Sequence, residues 1–405
     1  MACPSDQAHA ALSDFNPFDP GVRDDPYTYY DRLRQETPAV QSALLEQMWF
    51  LSRHADCIAV LRDLRFTSQA DFGPNGDAIE EGQRSFLFMD PPDHTRLRGL
   101  VSKAFTPRVI ESLRPKAQVF FDAALDRLLA AGECDVVEDL AYPLPINMIT
   151  QLMGVPGHDE ELFKQWSRPL ARSLDPEFVL PPDFVVARDR AVENFRTYFV
   201  DLIDHRRRRP GDDLLSALIA AEEEGDRLTQ DELLSILVLL LVAGHETTVN
   251  LIGNAVLNMM RHRDQWERLV AESGLVNSAV EEVLRFDPPV QFDGRQATAD
   301  IEIGGVVIPE GHFVLLVLGA ANRDPAVFHD GFVFDISRAE ARHHLSFGFG
   351  IHHCLGAPLA RMEAQVALSS LAQRAPSMTL MSDEVTYREN FILRGLETLP
   401  LALVS

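Results

Sequence analysis

A mainly helical fold with small β-sheets is what this sequence predicts, on three observations. Apolar residues recur at helical spacing along most of the chain, strand-like alternation is confined to a few short pieces, and one long helical stretch runs from Thr229 to about Arg261 without a proline. The 405 residues contain no Gly/Ser-rich or Pro-rich linker, so one domain is expected over residues 1–405, with residues 1–20 as a poorly ordered arm. An apolar fraction of 46% against a charged fraction of 24% is that of an ordinary globular protein, able at this length to bury a core and a sizeable internal cavity.

Taken from the N-terminus, the first strand-like pieces lie at residues 40–43 and 49–51. Phe120, Phe121, Ala124, Leu125, Leu128 and Leu129 then form one helical stripe, and Met148, Ile149, Leu152 and Met153 another. Residues 206–213 read RRRRPGDD, a basic helix end that the macrodipole favours, then a turn, then the acidic start of the next helix. Thr229-Gln-Asp-Glu232 is a capping box and opens the long helix, which at 1.5 Å per residue extends about 50 Å and can wall a central pocket. Its apolar part, residues 233–244, is interrupted by Ser235 and followed by His245 and Glu246, which suits a buried helix better than a membrane span. Late in the chain, residues 300–303 and 306–308 flank Gly304-Gly305 as a hairpin, and residues 313–318 add a further strand.

Composition excludes several function classes. The first twenty residues lack a basic start followed by an apolar run, so neither a signal peptide nor a membrane anchor is expected and a cytoplasmic location is. A formal net charge of -24 disfavours a nucleic-acid partner. Cys3, Cys57, Cys134 and Cys354 have no paired spacing, which argues against a disulfide framework or a CxxC metal site, so any special cysteine acts alone.

Cys354 is the candidate. It ends the glycine-rich run Phe347-Gly348-Phe349-Gly350-Ile351-His352-His353-Cys354-Leu355-Gly356, and helix-forming residues with Pro358 in the first turn follow. Free backbone N–H groups and the positive end of a helix dipole stabilise a thiolate at such a position. A lone cysteine is more often a buried structural residue, and it is the surrounding pattern that changes the reading. Zinc is the rival, with His343, His344, His352 and His353 nearby, but adjacent His-His doublets do not supply the spacings that structural zinc sites use.

Within the long helix, Ala243-Gly244-His245-Glu246-Thr247-Thr248 sets an acid and a hydroxyl in an apolar run, a costly arrangement unless it is used. The Thr247 hydroxyl can bond the Ala243 carbonyl four residues back and open the helix locally, while Gly244 leaves space for a diatomic ligand. An acid beside a hydroxyl is also a plausible proton relay; the bland alternative is a polar kink packed against a neighbour. Glu282 and Arg285, three apart on one helix face, would by themselves be an ordinary solvated pair.

In combination, Phe-x-x-Gly-x-His-x-Cys-x-Gly, Ala-Gly-x-Glu-Thr and Glu-x-x-Arg resemble the signatures of the cytochrome P-450 family of haem-thiolate monooxygenases, in the family's order and over nearly the whole chain. The resemblance implies a triangular, mainly helical prism with small sheets. It implies iron protoporphyrin IX (heme b) held by Cys354 as axial thiolate, with Phe347, Gly350, Gly356, Ala243 and Gly244 against it and His94, Arg98, Arg295 and His352 at the propionates. It assigns oxygen activation to Glu246 and Thr247, and a supporting ion cluster to Glu282, Arg285 and Arg338. By family position the substrate pocket takes Leu239, Val242, Val290, Gln291, Phe292, Ile392 and Leu393, closed on one side by residues 67–88. Only Gln291 among these is polar, which favours an uncharged, apolar substrate: a terpenoid, steroid, polyketide, fatty acyl or drug-like compound, hydroxylated or epoxidised with one atom of O2. No flavin or iron–sulfur motif is visible, so electrons are expected from a ferredoxin and its reductase, docking near Arg96, Lys103, Arg108 and Arg342. A peroxide-driven peroxygenase and a non-catalytic haem sensor are the alternatives, and the acid–alcohol pair argues against both.

Overall fold

The structure is a computed structural model that describes residues 15–69, 85–175, 180–223 and 228–403. Helices dominate it. The longest, the central helix Gln230–Arg261, begins as its sequence predicts: Thr229 accepts from the Glu232 backbone N–H, and the Glu232 carboxylate accepts from the Thr229 N–H. Neighbouring helices pack against it, Pro143–Met153 and Ala357–Arg374 among them, and this packing buries most of its length. By length and composition it could cross a membrane, but 72% of its most apolar window is buried inside the fold, so its apolarity is spent on the core.

The strands form three small sheets. In the largest, β1 (Ala39–Gln41), β2 (Met48–Leu51), β8 (Phe313–Val317), β5 (Phe292–Ala297) and β3 (Phe66–Thr67) lie in that order, with only β2 and β8 parallel. A second joins β4 (Glu133–Asp135), β10 (Pro400–Ala402) and β9 (Thr379–Leu380). The third is the hairpin of β6 (Ile301–Ile303) and β7 (Val306–Ile308), where Gly304 and Gly305 supply the two positive φ angles, 61° and 85°, that a tight two-residue turn requires.

Residues 15–20 depart from the expected loose arm. The Phe15 ring is buried edge-on against Phe50, with centroids 5.2 Å apart, and Asp19 caps helix Pro20–Asp24 by accepting from Gly21 N–H. An aromatic anchor and a cap order the segment. The expectation for residues 1–14 lies outside the described residues, as does residues 70–84 of the expected pocket loop.

Candidate functional site

Among the described cysteines Cys57 and Cys134 are buried, and Cys354 is the accessible one. Its accessibility is not that of an outer surface. Burial pushes its thiol above the ordinary value, while the backbone N–H groups of Gly356 and Ala357 and the nearby Arg98 and Arg361 pull it back. The thiol is thus reachable from solvent and yet crowded by the surrounding protein. The loop reaches this position through local contacts: Cys354 N–H donates to the Phe347 carbonyl at 2.7 Å, and helix Ala357–Arg374 starts three residues on with Pro358 in its first turn. Gly350, at φ 71°, lies so close to the Leu61 carbonyl that a Cβ would sit 2.5 Å from the oxygen, so only glycine fits.

The central helix has one accessible face in an otherwise buried stretch. Leu239, Ala243 and Thr247, at i, i+4 and i+8, retain exposure while Leu240, Leu241 and Val242 are buried. Thr247 Oγ1 donates to the Ala243 carbonyl at 2.9 Å as the spacing predicts, and the helix remains α-helical through this bond. Gly244 corrects the expected groove: a Cβ there would meet the Ile149 side chain at 2.9 Å, so the glycine admits helix Pro143–Met153 and leaves no room for a ligand beside it.

Glu246 is 2% exposed and turned away from Thr247. One carboxylate oxygen accepts from Arg388, and the other lies 3.5 Å from His245 Nε2. Arg388 comes from 142 residues further along the chain, beyond the reach of any local spacing rule.

Four cation-bearing candidates from separate parts of the sequence do meet. The His94 and His352 rings lie 4.2 Å apart, and Arg98 donates to the His353 carbonyl. Burial, then Arg295, His94 and Arg98, hold the His352 imidazole down at about 3. Burial and Arg98 lower that of His94. Both ring nitrogens of His94 and the Nε2 of His352 are buried without a protein partner. Arg295 is partly committed, donating to Asp293 and to the Gly294 carbonyl at 2.6 Å each. Buried imidazole nitrogens without partners beside two guanidinium groups suit a dianionic group, which is what two propionates provide.

Glu282 and Arg285 are fully buried and paired through two 2.7 Å bonds, with Arg338 at 3.4 Å from Glu282. Arg285 also donates to the carbonyls of Asn322, Gly331 and Val333. The cluster is linked to the cysteine loop by residues that sequence reasoning missed. The Asn322 amide donates to Ser346 Oγ and its carbonyl oxygen accepts from Leu345 N–H, while Ser346 Oγ donates to the Leu284 carbonyl. In parallel, Glu281 holds Arg361 at 2.6 Å and faces His344 at 3.3 Å, and the Arg361 guanidinium lies over the Phe347 ring at 4.5 Å. Glu281, beside the signature acid, was the available signal.

Three further expectations are corrected. The Gln291 side chain is 4% exposed, donates to the Pro288 carbonyl and packs against Gly319, so it is not a polar group of a pocket. Phe292 is buried in the cluster of Phe15, Tyr30 and Phe50 and stacks on Phe391 at 4.8 Å. Arg96 pairs with Glu232 and Asp93, which ties helix Asp93–Ser102 to the start of the central helix and neutralises its charge. Lys103, Arg108 and Arg342 are exposed. Val290 and Leu393 meet through a bridge, and Ile392 is half-buried next to them.

An ion-paired helix bracing the loop of an accessible cysteine, together with a long buried helix whose one accessible face carries a threonine beside a buried acid, fits a haem-thiolate protein. The family model for cytochrome P450 matches residues 19–375. The chain is 42% identical to cytochrome P450 monooxygenase PikC of Streptomyces venezuelae over 387 residues, covering 93% of this chain and 91% of that one. It is 39% identical over 392 residues to vitamin D(3) 25-hydroxylase of Pseudonocardia autotrophica, covering 93% and 94%. The ligand-free crystal structure of Mycobacterium smegmatis CYP164A2 superimposes with a TM-score of 0.86 at 45% identity, covering 98% of this chain and all of that one. The chain belongs to the cytochrome P450 family. It is an oxidoreductase of the monooxygenase type, and the family implies a haem cofactor, O2 and a small-molecule substrate.

Proposed function

We propose that this chain holds heme b between Cys354 and the Leu239–Ala243–Thr247 face of the central helix, and inserts one oxygen atom into an uncharged, apolar substrate. The observation that carries the reading is the pairing of an accessible but deep thiol with the unpartnered His94 and His352 nitrogens beside Arg98. Cys354 would ligate the iron, with the Gly356 and Ala357 N–H groups stabilising its thiolate, while His94, His352, Arg98 and Arg295 would hold the propionates. The haem, when bound, supplies reductive activation of O2 and oxidation of the substrate.

The chain's own part is positioning and proton delivery. Thr247 Oγ1, at the accessible face, holds the proton nearest the reaction. Glu246 feeds it, and because its carboxylate faces Arg388 and His245, passage to Thr247 requires the carboxylate to leave Arg388. Arg388 therefore belongs to the groups that control proton delivery. Leu239, Val290 and Ile392 keep exposed surface and form the substrate wall, with the buried Val242 and Leu393 as its backing. With Gln291 and Phe292 turned elsewhere, this wall is wholly apolar, which favours a steroid, polyketide, terpenoid or fatty acyl compound over a polar one; the hydroxylation of vitamin D3 by a relative is consistent with that class. Electrons come from a ferredoxin and its reductase in the cytoplasm, docking at Lys103, Arg108 and Arg342.

The test is turnover of a panel of such compounds under ¹⁸O2 with a surrogate ferredoxin system. One labelled oxygen atom in the product is expected. Turnover with hydrogen peroxide alone, and none with the redox pair, would replace this reading by a peroxygenase.

A further inference from the structure

Asp175 is a buried acid that no signature contains. It lies just beyond helix Glu160–Ala171, and one carboxylate oxygen accepts from two successive backbone N–H groups, those of Phe391 and Ile392, each at 3.0 Å and 216 or 217 residues away. The residue is 2% exposed. Burial pushes its carboxyl upward, against the pull of those two N–H groups and of Arg172. The Arg172 guanidinium is 3.7 Å from its second oxygen and lies over the Phe184 ring of helix Pro182–Arg208 at 4.6 Å. A carboxylate is costly to bury, and here its cost is offset by bonds to one short piece of backbone.

That piece is the tip of the C-terminal turn. Behind it, the Ile392 carbonyl accepts from Gln291 N–H at 2.9 Å, Leu393 bridges to Val290, and Arg394 N–H donates to the Pro289 carbonyl. The Phe391 ring stacks on Phe292 and packs at a tilt against Phe18. The turn is thus bonded to residues 289–291 along one side and, at its tip, to Asp175 on the other.

We infer that Asp175 is a positioning residue for substrate binding: it clamps the Phe391–Ile392 backbone to the segment that ends helix Glu160–Ala171, and so fixes where Ile392 and Leu393 stand in the pocket wall. This rests on the reading of those two side chains as substrate wall. The clamp requires an acceptor at one oxygen and not a charge, so Asp175→Asn preserves it and Asp175→Ala removes it.

The experiment compares holoprotein carrying Asp175→Ala or Asp175→Asn with the parent by amide hydrogen exchange at Phe391 and Ile392 and by the dissociation rate of econazole, an apolar azole probe followed by its haem absorbance. For Asp175→Ala, loss of two bonds to a carboxylate predicts exchange and econazole release each faster by about ten- to a hundredfold, with the rest of the chain protected as in the parent. Asp175→Asn should return both to within about threefold. Parental exchange at the two amides in Asp175→Ala overturns the clamp, as does loss of protection throughout the chain, which would make Asp175 a residue of general stability. Failure of Asp175→Asn to restore the two amides does the same. Faster exchange with unchanged econazole release overturns the link to the pocket by removing Ile392 and Leu393 from its wall, whereas absence of a thiolate-type haem spectrum in the parent would sink the haem reading itself.

Discussion

Replacement of Glu282 by leucine should be among the most damaging single changes in the protein. Glu282 and Arg285 are both 0% exposed, and Glu282 accepts two 2.7 Å bonds from Arg285, one of 2.9 Å from Asp335 N–H and one of 3.4 Å from Arg338. Leucine fills similar volume but leaves the Arg285 guanidinium charged, buried and facing only the carbonyls of Asn322, Gly331 and Val333. Breaking such a pair costs about 3–5 kcal/mol, a factor of roughly 10²–10⁴ in the folding equilibrium and a large part of the ~5–15 kcal/mol that holds a protein folded. Because Asn322 and Ser346 carry the same cluster to the cysteine loop, haem retention should fall with stability.

The compensating double variant separates charge from packing. Glu282→Leu with Arg285→Met removes both buried charges at similar volume, so it should recover at least half of the lost stability, the remainder reflecting Asp335 N–H and three carbonyls left without partners. Urea titration of all three proteins, followed by far-UV circular dichroism and by haem absorbance, reads both quantities. A single variant within about 1 kcal/mol of the parent, or a double variant no more stable than the single, would refute the reasoning.

Acid should destabilise the proximal side in two stages. Burial keeps His344 neutral, with Nδ1 accepting from Ser346 N–H at 3.1 Å, so its contribution is present above the ordinary histidine value of about 6.5 and declines below it as the unfolded chain takes up the proton. Burial pushes Glu281 up, but His344 and Arg361 outweigh it and bring its carboxyl to about 2, so its contribution is present above the ordinary glutamate range and is lost from there down to about 2. Urea midpoints against pH for Glu281→Gln should lack this second decline. Thr247→Ala should keep haem but lower product per reducing equivalent by about tenfold or more, with peroxide rising in its place, as measured by NADPH use against product. Arg98→Gln should speed haem transfer to apomyoglobin by roughly 10- to 150-fold, the equivalent of one charge-assisted hydrogen bond.

Features set by neighbours along the chain were legible in the sequence. The Thr229–Glu232 capping box, the Gly304-Gly305 hairpin, the Thr247–Ala243 bond and the helix after Cys354 depend on residues within a few positions of one another. What was missed depends on partners more than a hundred residues apart: Arg388 on Glu246, Asp175 on the C-terminal turn, Arg96 on Glu232. Gly244 shows the limit within a motif, since a glycine that makes room for Ile149 looks the same in sequence as one that makes room for a ligand. Gln291 and Phe292 show it for a pocket, because their side chains pack against Gly319 and Phe391, partners far along the chain. The order of residues 15–20 has a similar cause: a single aromatic ring finds its partners in Tyr30 and Phe50, which composition does not reveal.

The central claim is that Cys354, as a thiolate, is the axial ligand of a haem. It is tested most directly by the difference spectrum of the reduced protein with and without carbon monoxide, for the parent and for Cys354→Ser. The account predicts the red-shifted band characteristic of thiolate-ligated haem in the parent and its loss in the variant. A band typical of histidine ligation in the parent, or an unchanged band in Cys354→Ser, would contradict it.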